Sequence, residues 1–598
     1  MEKHTLQDFL DITPTINPTF NNDMSKVAFL NNTSGTFQIY IHDTTTKIST
    51  RITDLPNRVM FCRYSPTEDM IIYGTDAGGD EKIQLFLYDE KTKLSKKITN
   101  NDSAIYKFGG WSKDGKNITY VSNENNGIDF DVFVKNINTN ETRCIFKNGG
   151  WCVSFGFSPD SSHVVVGQNK SLIANDLLLI NLDKDKITNI TGKNDISAHY
   201  NNICWIKDSS GFYLVSNKDD EFKHIKYYDL KLEKFSIFYK HQWDIEEISL
   251  SPDNTTLALF ENEDGYTNIY LHDLHSKEIQ KADLSSPGIT QSLRWGSDNT
   301  KLIWSHETPT EVSALWEYDI RLQKANKVVE FPQKIDSSTL ITPEVIRYKS
   351  FDDLTIPAFL YLPKRKSSKK IPVIIYIHGG PEYQYQPLFN PVIQFFLHKG
   401  YAVAAPNVRG STGYGKEYVS LDDKEKRLDS VQDIVYLKEY LSTIEQIDSN
   451  KCILMGGSYG GYMVLANLAF YPEHWLAGVD IVGMANLVTF LQNTSSWRRT
   501  MREAEYGSLS TDKELLESIS PLNKVDNIKA PLLIIHGAND PRVPLSEAEQ
   551  MHDTLKELNR DVELLVFEDE GHGIAKTKNR IETYTKVDTF LQKHVGDI

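Results

Sequence analysis

Short apolar runs that alternate with polar residues recur along the first half of the chain. KVAFL (26–30), NITYV (117–121) and TLALF (256–260) each follow a polar turn. Several units add a second run that ends in Asp, such as LFLYD (85–89). Alternation with a period of two, bounded by Asn, Asp, Gly, Ser and Pro, predicts strands joined by tight turns.

These units repeat with a nearly constant period. Each begins with a large apolar residue and a polar turn, and the starts lie 44 to 48 residues apart, at Phe20, Tyr64, Trp111, Phe157, Trp205, Leu250 and Trp295. Seven units of about 45 residues are typical of a β-propeller with four strands per blade. The alternative, a β-sandwich, is not expected to keep this period across seven units. We predict a seven-bladed β-propeller over residues 1–335, and we allow for its first residues packing on a second domain.

From about residue 337 the pattern changes to strands that alternate with helices. Helical periodicity occurs at 430–441 and 546–558, between apolar runs rich in Val and Ile. Such runs are expected of strands covered on both faces, and they lie at 358–362, 373–377, 401–405, 453–455, 479–482, 532–536 and 562–567. The pattern predicts a mostly parallel sheet flanked by helices over residues 336–598, with residues 325–340 as the linker.

Length and composition limit the functional classes. A chain of 598 residues needs more than one core, and its formal net charge of −16, with interspersed signs, disfavours nucleic acid or a membrane surface as the partner. The sequence contains neither an apolar signal region at its start nor an apolar stretch of membrane-spanning length. Five scattered cysteines without a C-x-x-C motif favour the cytoplasm. A homo-oligomer is left open.

Residues 451–463, KCILMGGSYGGYM, crowd four glycines around Ser458. GGSYG (456–460) fits G-x-S-x-G, the nucleophile elbow of α/β-hydrolases. The motif alone is weak, because average residue usage produces it by chance in roughly one in five chains of this length. A simple turn serine is therefore the alternative. Its position between a strand and a helix, where α/β folds bind ligands, favours a nucleophile.

Two later residues complete a predicted catalytic triad. A serine needs a base, and the base needs an orienting carboxylate, in the chain order Ser, Asp, His for this fold. Asp540 and His572 follow the apolar runs 532–536 and 562–567 directly. Asp569 is the rival carboxylate but shares the loop of the histidine. His536 ends an apolar run and is expected in the core.

The oxyanion of the reaction needs two hydrogen-bond donors. The backbone N–H of Tyr459, directly after the nucleophile, is one candidate. The second is Gly380, in the Gly-Gly pair after the apolar run 373–377, where a backbone amide can approach a ligand closely. We expect no cofactor and no metal ion, and we expect His272 and His275 at the surface.

Five motifs in this order, behind the sevenfold repeat, resemble the prolyl oligopeptidase family of serine peptidases. They are HGGPEYQ (378–384), NVRGSTGYGKEY (407–418), GGSYGGYM (456–463), HGANDPRVP (536–544) and EGHG (570–573). The resemblance is greatest to the branch of acylaminoacyl-peptidases and related bacterial oligopeptidases. It implies a propeller that covers an α/β-hydrolase domain, with an active site between them that excludes folded proteins.

The resemblance also implies substrate-binding residues. Arg542 matches the arginine that binds the backbone carbonyl before the cleaved residue. The segment after the run 479–482 is implied to line the specificity pocket, with Val482, Phe490 and Trp497 as its apolar candidates. The dipeptidyl-peptidase branch binds the substrate amine through two glutamates, which the stretch WDIEE (243–247) matches only superficially.

The leading functional hypothesis is a cytoplasmic serine peptidase that cleaves short peptides. It would remove an N-terminal residue, free or acylated, or cut internally. An esterase or lipase is the second hypothesis, because the triad chemistry does not distinguish ester from amide. The third is an inactive propeller scaffold that binds partners.

Overall fold

The structure is a computed structural model that describes residues 4–192, 197–284, 286–364 and 369–596. Residues 1–3 and 597–598, at the outer ends of the two predicted domains, lie outside the described residues. Among the described helices, none combines the length and the apolar character that crossing a lipid bilayer requires.

Seven antiparallel sheets of four strands form the first part of the described chain. The blades follow one another along the chain, and each uses four consecutive strands. This confirms the prediction of a seven-bladed propeller. The strands are β1 Thr15–Phe20, β2 Lys26–Asn31, β3 Gln38–Asp43 and β4 Ser49–Arg51; β5 Val59–Tyr64, β6 Met70–Thr75, β7 Gln84–Asp89 and β8 Leu94–Lys97; β9 Tyr106–Trp111, β10 Asn117–Ser122, β11 Asp131–Asn136 and β12 Thr142–Phe146; β13 Cys152–Phe157, β14 His163–Asn169, β15 Asn175–Asn181 and β16 Lys186–Asn189; β17 Tyr200–Trp205, β18 Gly211–Ser216, β19 His224–Asp229 and β20 Lys234–Tyr239; β21 Asp244–Leu250, β22 Thr256–Glu263, β23 Tyr266–Asp273 and β24 Ile279–Lys281; β25 Ile289–Trp295, β26 Lys301–Thr308, β27 Glu311–Asp319 and β28 Lys324–Val329.

The recurring Asp at the end of the third strand in several blades has a structural reason. The carboxylate of Asp43 accepts hydrogen bonds from the backbone N–H groups of Thr45 and Thr46, at 2.9 and 2.7 Å. Asp229 and Asp319 make the same pair of bonds in the fifth and seventh blades. Asp side chains stabilise such turns by bonding the backbone two or three residues ahead. The repeat in the sequence is therefore a repeat of hairpin turns.

Side-chain contacts join the first and the seventh blades, which share no strand among the described residues. The hydroxyl of Ser313 in β27 donates to the carbonyl of Thr15 in β1 at 2.9 Å. The hydroxyl of Ser297, which follows β25, donates to the carbonyl of Asn22 at the same distance. The ring is thus closed by packing and isolated hydrogen bonds.

The second part of the chain is an eight-stranded sheet with helices on both faces, which confirms the α/β-hydrolase fold class. Its order is β29-β30-β32-β31-β33-β34-β35-β36, parallel from β32 onward. The strands are β29 Glu344–Lys349, β30 Thr355–Tyr361, β31 Ile371–Ile377, β32 Ala402–Pro406, β33 Ile447–Gly457, β34 Ala477–Ile481, β35 Leu532–Gly537 and β36 Val562–Phe567. The α-helices of the whole chain are α1 Leu6–Leu10, α2 Pro391–Lys399, α3 Lys416–Val419, α4 Arg427–Ser442, α5 Tyr459–Phe470, α6 Leu487–Asn493, α7 Ser496–Tyr506, α8 Lys513–Ser518, α9 Leu545–Glu557 and α10 Thr577–Val595. Short 3-10 helices lie at Ser337–Thr339, Lys424–Lys426, Pro472–His474 and Pro521–Asn527.

Three details differ from, or extend, the sequence-based expectations. Strand β28 extends to Val329, so the first residues of the expected linker at 325–340 belong to the last blade. His272 was expected at the surface but is buried, with its ring 5.0 Å from that of Phe238, because its strand position faces the neighbouring strands. Helix α1 packs on the hydrolase sheet side through Phe9, whose ring lies 5.9 Å from that of Phe395 in α2.

Candidate active site

Ser458 lies in a sharp turn between β33 and α5, with a φ of 58°. A positive φ is strained for a residue with a side chain, and such strain at a turn presents the side chain to solvent at the sheet edge. The flanking glycines allow the close packing of this turn. A β-carbon at Gly456 would collide with the carbonyl of Gly460, and one at Gly460 would collide with that of Ile377. The strand–turn–helix geometry of an elbow therefore depends on these glycines.

The structure brings Ser458, His572 and Asp540 together. The Nε2 atom of His572 lies 2.9 Å from the Oγ atom of Ser458, and its Nδ1 atom lies 2.7 Å from the Oδ2 atom of Asp540. In the tautomer that a carboxylate favours, Nδ1–H donates to Asp540 and Nε2 accepts the serine proton. The three residues thus form one continuous chain of hydrogen bonds from carboxylate to hydroxyl.

The carboxylate of Asp540 is buried and fixed by its own loop. Its Oδ1 atom accepts hydrogen bonds from the backbone N–H groups of Arg542 and Val543, at 2.8 and 3.0 Å. Burial opposes ionisation, but the charge and hydrogen bond of His572 outweigh it, so the pKa of Asp540 is lowered. Asp540 is therefore an anion at neutral pH. The neighbouring His536 is buried and binds the carbonyl of Val543 at 2.8 Å.

The rival Asp569 is bound elsewhere. Its carboxylate accepts hydrogen bonds from Lys576 at 2.6 Å and from the side-chain amide of Asn579 at 2.9 Å. The structure therefore pairs Asp540, and not Asp569, with the imidazole of His572.

Two backbone amides flank the hydroxyl of Ser458. Tyr459 begins α5, where the first N–H groups of a helix have no partner within the helix. On the other side, a β-carbon at Gly379 would lie 3.5 Å from that of Ser458, so the peptide of Gly379 and Gly380 is next to the nucleophile. The carbonyl of Gly379 is bound to Nδ1 of His378 at 2.7 Å. Because the C=O and N–H of a trans peptide point in opposite directions, this bond turns the N–H of Gly380 away from His378.

His378 contacts the loop of the candidate oxyanion donor, and the sequence alone did not identify this contact. Burial lowers its pKa to about 4, so the imidazole is neutral and Nδ1–H can donate to Gly379. The Nε2 atom lies 2.9 Å from the hydroxyl of Ser411, in the motif at 407–418. The HGGP and NVRGS motifs are therefore in direct contact, although His378 and Ser411 are 33 positions apart in the chain.

A buried charge network holds the ring of Tyr459. Its hydroxyl donates to Asp422 at 2.9 Å and accepts a hydrogen bond from Arg427 at 2.9 Å. Arg427 also pairs with Asp422 and with Glu505. One carboxylate oxygen from each of Asp422, Asp423 and Glu505 lies within 4.8 Å of the others, but the guanidinium already pairs with two of these groups. No local spacing in the sequence indicates this network.

Arg542 is bound by the propeller. Its Nε atom donates to the Oε1 atom of Glu81, which follows β6 in the second blade, at 2.6 Å. The Arg542 side chain keeps 43% of its surface exposed. The same blade loop also contacts the histidine loop, since a β-carbon at Gly79 would lie 2.5 Å from the backbone nitrogen of Gly571. The second blade is therefore a wall of the active site.

The three residues proposed for the specificity pocket lie in two environments. Val482 is buried at the end of β34, with a φ of 50°, which is strained for a β-branched residue. Phe490 is buried in the hydrolase core and packs edge-to-face on Tyr506. Trp497 instead packs edge-to-face on two propeller rings, at centroid distances of 5.2 Å from Trp151 and 5.7 Å from Phe130.

Glu246 and Glu247 lie in β21, as an ordinary propeller strand would place them. Glu246 accepts a hydrogen bond from the amide of Asn262 at 2.7 Å. Glu247 accepts one from the guanidinium of Arg294 at 3.0 Å. Both glutamates are therefore engaged by neighbouring blade residues.

The C-terminal part of the chain is similar in sequence to known proteins. Residues 387–597 match the family model described as the prolyl oligopeptidase family. The match lies within the C-terminal part of the chain, which contains Ser458, Asp540 and His572. This part is similar to dipeptidyl aminopeptidase BIII of Pseudoxanthomonas mexicana, with 31% identity over 53% of this chain and 48% of the relative. The mouse acylamino-acid-releasing enzyme is 25% identical over 54% of this chain and 43% of its own length. The matched region thus spans about half the length of these curated relatives.

Solved structures share the fold over the whole length. A Mycobacterium tuberculosis puromycin-hydrolyzing peptidase superposes with a TM-score of 0.89 at 16% identity, covering 100% of this chain and 97% of that one. An acylaminoacyl peptidase of Pyrococcus horikoshii superposes with a TM-score of 0.76 at 20% identity, covering 99% and 98%. At these identities the likeness shows the architecture of a propeller joined to an α/β-hydrolase domain.

Proposed function

We propose that this protein is a serine peptidase that hydrolyses short peptides through an acyl-enzyme. The observation that carries the proposal is the chain of hydrogen bonds from Asp540 through His572 to Ser458, with 2.7 and 2.9 Å between the heavy atoms. A serine hydroxyl becomes a nucleophile when an oriented base accepts its proton. The match of residues 387–597 to a peptidase family supports the same activity.

The geometry supports the following sequence of steps. The Oγ atom of Ser458 attacks the peptide carbonyl while Nε2 of His572 accepts its proton, and Asp540 stabilises the resulting imidazolium. The N–H groups of Tyr459 and Gly380 bind the oxyanion, and one such donor contributes about 3 kcal/mol to transition-state stabilisation. His572 then gives its proton to the leaving amine. Water, activated by the same imidazole, hydrolyses the ester on Ser458.

Two features favour peptides over simple esters as substrates. The Nε–H of Arg542 donates to Glu81, so the terminal guanidinium nitrogens are left to bind a peptide carbonyl. The second blade borders the histidine loop through Gly79 and Gly571, so a substrate must fit between the propeller and the sheet. Short, flexible peptides meet this requirement and folded proteins do not. The alternative, an esterase or lipase, would have no use for this arginine or this enclosure.

The two parts of the chain have different roles in this proposal. Residues 1–335 restrict access and supply Glu81, whereas residues 336–598 supply the chemistry. We place the enzyme in the cytoplasm, because all five cysteines lie in the described part of the chain and are free thiols. The steps above use side chains, backbone amides and water, without a cofactor.

Labelling with a fluorophosphonate probe, followed by peptide mapping, tests the nucleophile. We expect the label on Ser458 in native protein and its loss in Ser458→Ala, whereas Ser442→Ala, an exposed serine at the end of α4, keeps it. Unlabelled native protein would support the inactive scaffold. Turnover of a peptide anilide and of a matched acyl ester then separates the two hydrolase hypotheses. Cleavage of the ester without measurable cleavage of the anilide would replace the peptidase by an esterase.

A further inference from the structure

Arg498 is a buried cation without a counter-charge of its own. It lies in α7, its exposed fraction is 9%, and its Nε and Nη1 atoms have no hydrogen-bond partner among the described residues. Burial, followed by the charges of Arg502 and Arg542, lowers its pKa to about 9. A buried and unpaired guanidinium destabilises a fold unless something pairs with it. Arg498 therefore needs a functional explanation.

Lys107, from β9 of the third blade, is a second cation without a counter-charge of its own, and it is half-buried. Its ammonium lies over the rings of Trp151, Phe130 and Trp497, at 4.5, 4.8 and 5.6 Å from their centroids. Aromatic faces attract cations but do not neutralise them. No ion pair joins Lys107 to another described residue. Burial, with the charge of Arg542 also acting, lowers its pKa to about 8, although Glu81 raises it.

The carboxylates near these cations are already used. Glu81 pairs with Nε of Arg542, and Asp540 pairs with His572. Arg502, one turn further along α7, pairs with Glu382 and donates to the carbonyl of Gly380. Arg498 and Lys107 thus have no carboxylate partner among the described residues, and they lie where the propeller meets the hydrolase domain. Helix α7 runs between two loops of the candidate site, since Ser495 before it donates to the carbonyl of Pro541 at 2.8 Å and Arg502 within it donates to that of Gly380 at 3.2 Å.

We infer that Arg498 and Lys107 form a binding site for a carboxylate group of the peptide substrate, next to the carbonyl-binding Arg542, and we call it the carboxylate subsite. The inference rests on the proposed peptidase function. A guanidinium binds a carboxylate through two parallel hydrogen bonds, and such charged bonds are stronger than neutral ones. Arg542 is partly exposed, so an anion can reach the group from the cleft.

A peptide offers a carboxylate from two sources, its C-terminus or an Asp or Glu side chain. The experiment therefore has two arms, each measured by calorimetric binding to Ser458→Ala and by kcat/KM of the native protein. The first arm compares neutral peptides with a free acid and with an amide at the C-terminus. The second compares Asp with Asn, and Glu with Gln, at each position of amidated peptides.

We expect the carboxylate form to be preferred by about ten- to a hundredfold in one arm, which identifies the source. In Arg498→Met the preference should fall close to one. Arg499→Met removes the same charge from the adjacent residue, whose guanidinium binds the carbonyl of Gln492, and should keep the preference. Arg498→Lys, which retains the charge, should keep part of it. Circular dichroism of each variant verifies the fold.

Other outcomes overturn the inference. Native protein that cleaves peptides without a preference in either arm would eliminate the carboxylate subsite and leave the peptidase intact. Equal losses in Arg498→Met and Arg499→Met would show a general charge effect in place of a site. Preferential binding to Ser458→Ala, combined with a native protein that cleaves no peptide, would instead remove the peptidase function and keep the site.

Discussion

The carboxylate of Glu81, in the propeller, accepts a hydrogen bond from Nε of Arg542 at 2.6 Å, and Arg542 lies two residues after Asp540 in the chain. The bond joins residues that are 461 positions apart in the chain. It fixes the arginine that we propose to bind the substrate, and it does so from the other domain. The substrate site is therefore complete only when the propeller is closed on the hydrolase domain.

Replacing Glu81 by Gln tests this relationship. The loss of the charge should leave Arg542 less well oriented, and because the arginine is partly exposed we expect a modest rise of KM for peptides, about three- to tenfold. Steady-state kinetics with a peptide anilide measures the effect. Glu278→Gln, a substitution at an exposed turn of the sixth blade, is the control and should match the native protein. An unchanged KM in Glu81→Gln would show that the bond does not position Arg542.

The assignment of the triad carboxylate is tested by two matched variants. Asp540→Asn removes the anion that orients His572, and we expect kcat to fall by about four orders of magnitude. Asp569→Asn breaks contacts with Lys576 and Asn579 only, and should retain activity within about threefold. Turnover of the same peptide by both variants is the measurement. A larger loss in Asp569→Asn than in Asp540→Asn would reverse the assignment.

Trp497 should act mainly at the domain interface. Trp497→Ala removes the ring contacts with Trp151 and Phe130, which we expect to weaken the contact between the domains by about 1–3 kcal/mol. Hydrogen exchange should then increase in α7 and in the third and fourth blades. Trp316→Ala, in the seventh blade, should increase exchange only locally. If exchange in α7 stays at the native level, Trp497 does not hold the interface.

The carboxylate subsite predicts a pH dependence. Lys107 faces Glu81, Arg542 and Arg498, and its lowered pKa of about 8 means that it is charged below this pH and loses its charge above it. The preference for a carboxylate, measured as a ratio of kcat/KM values that reports the free enzyme, should therefore be full near pH 7 and decline above pH 8. Lys107→Met should show a smaller ratio without this decline. Lys113→Met, at an exposed turn of the same blade, is the control and should behave like the native protein. A ratio of kcat/KM values that stays constant up to about pH 9.5 in the native protein would contradict the prediction.

Arg498 should also lower the stability of the protein without ligand. The lowered pKa means that its charged form is less favourable in the folded than in the unfolded chain, so the penalty is present below pH 9. Arg498→Met should therefore raise the midpoint of thermal unfolding by about 2 °C or more. Functional residues often show this opposition between stability and activity. Differential scanning calorimetry of Arg498→Met, with Arg499→Met as the control, measures this midpoint. A lower midpoint in Arg498→Met than in the native protein would refute the prediction.

The sequence predicted those features that depend on local chemistry. The blades repeat because Asp43, Asp229 and Asp319 stabilise the same hairpin turn, and a turn of this kind is visible in a few consecutive letters. Ser458, Asp540 and His572 were predicted as a triad for the same reason, since each follows an apolar run at a strand end. Because the carboxyl ends of parallel strands meet at one edge of the sheet, the three residues were expected to lie close together.

Features that depend on contacts between distant residues were not predicted. The pairing of Glu81 with Arg542 requires a known orientation of the two domains. The same holds for the contacts of Trp497 with propeller rings, which its place in the segment after β34 does not reveal. The contact of His378 with the carbonyl of Gly379 was not predicted, because it depends on the rotamer and the burial of the side chain, which a sequence motif does not show.

The contact between Gly79 and Gly571 limits how the two domains can fit together. The backbone of the second blade touches that of the histidine loop with no space for a methyl group between them. The two halves are therefore not interchangeable modules, because a foreign propeller would seat only if it presented a bare main chain at this point. A side chain at position 79 of the propeller would thus displace the loop that holds His572.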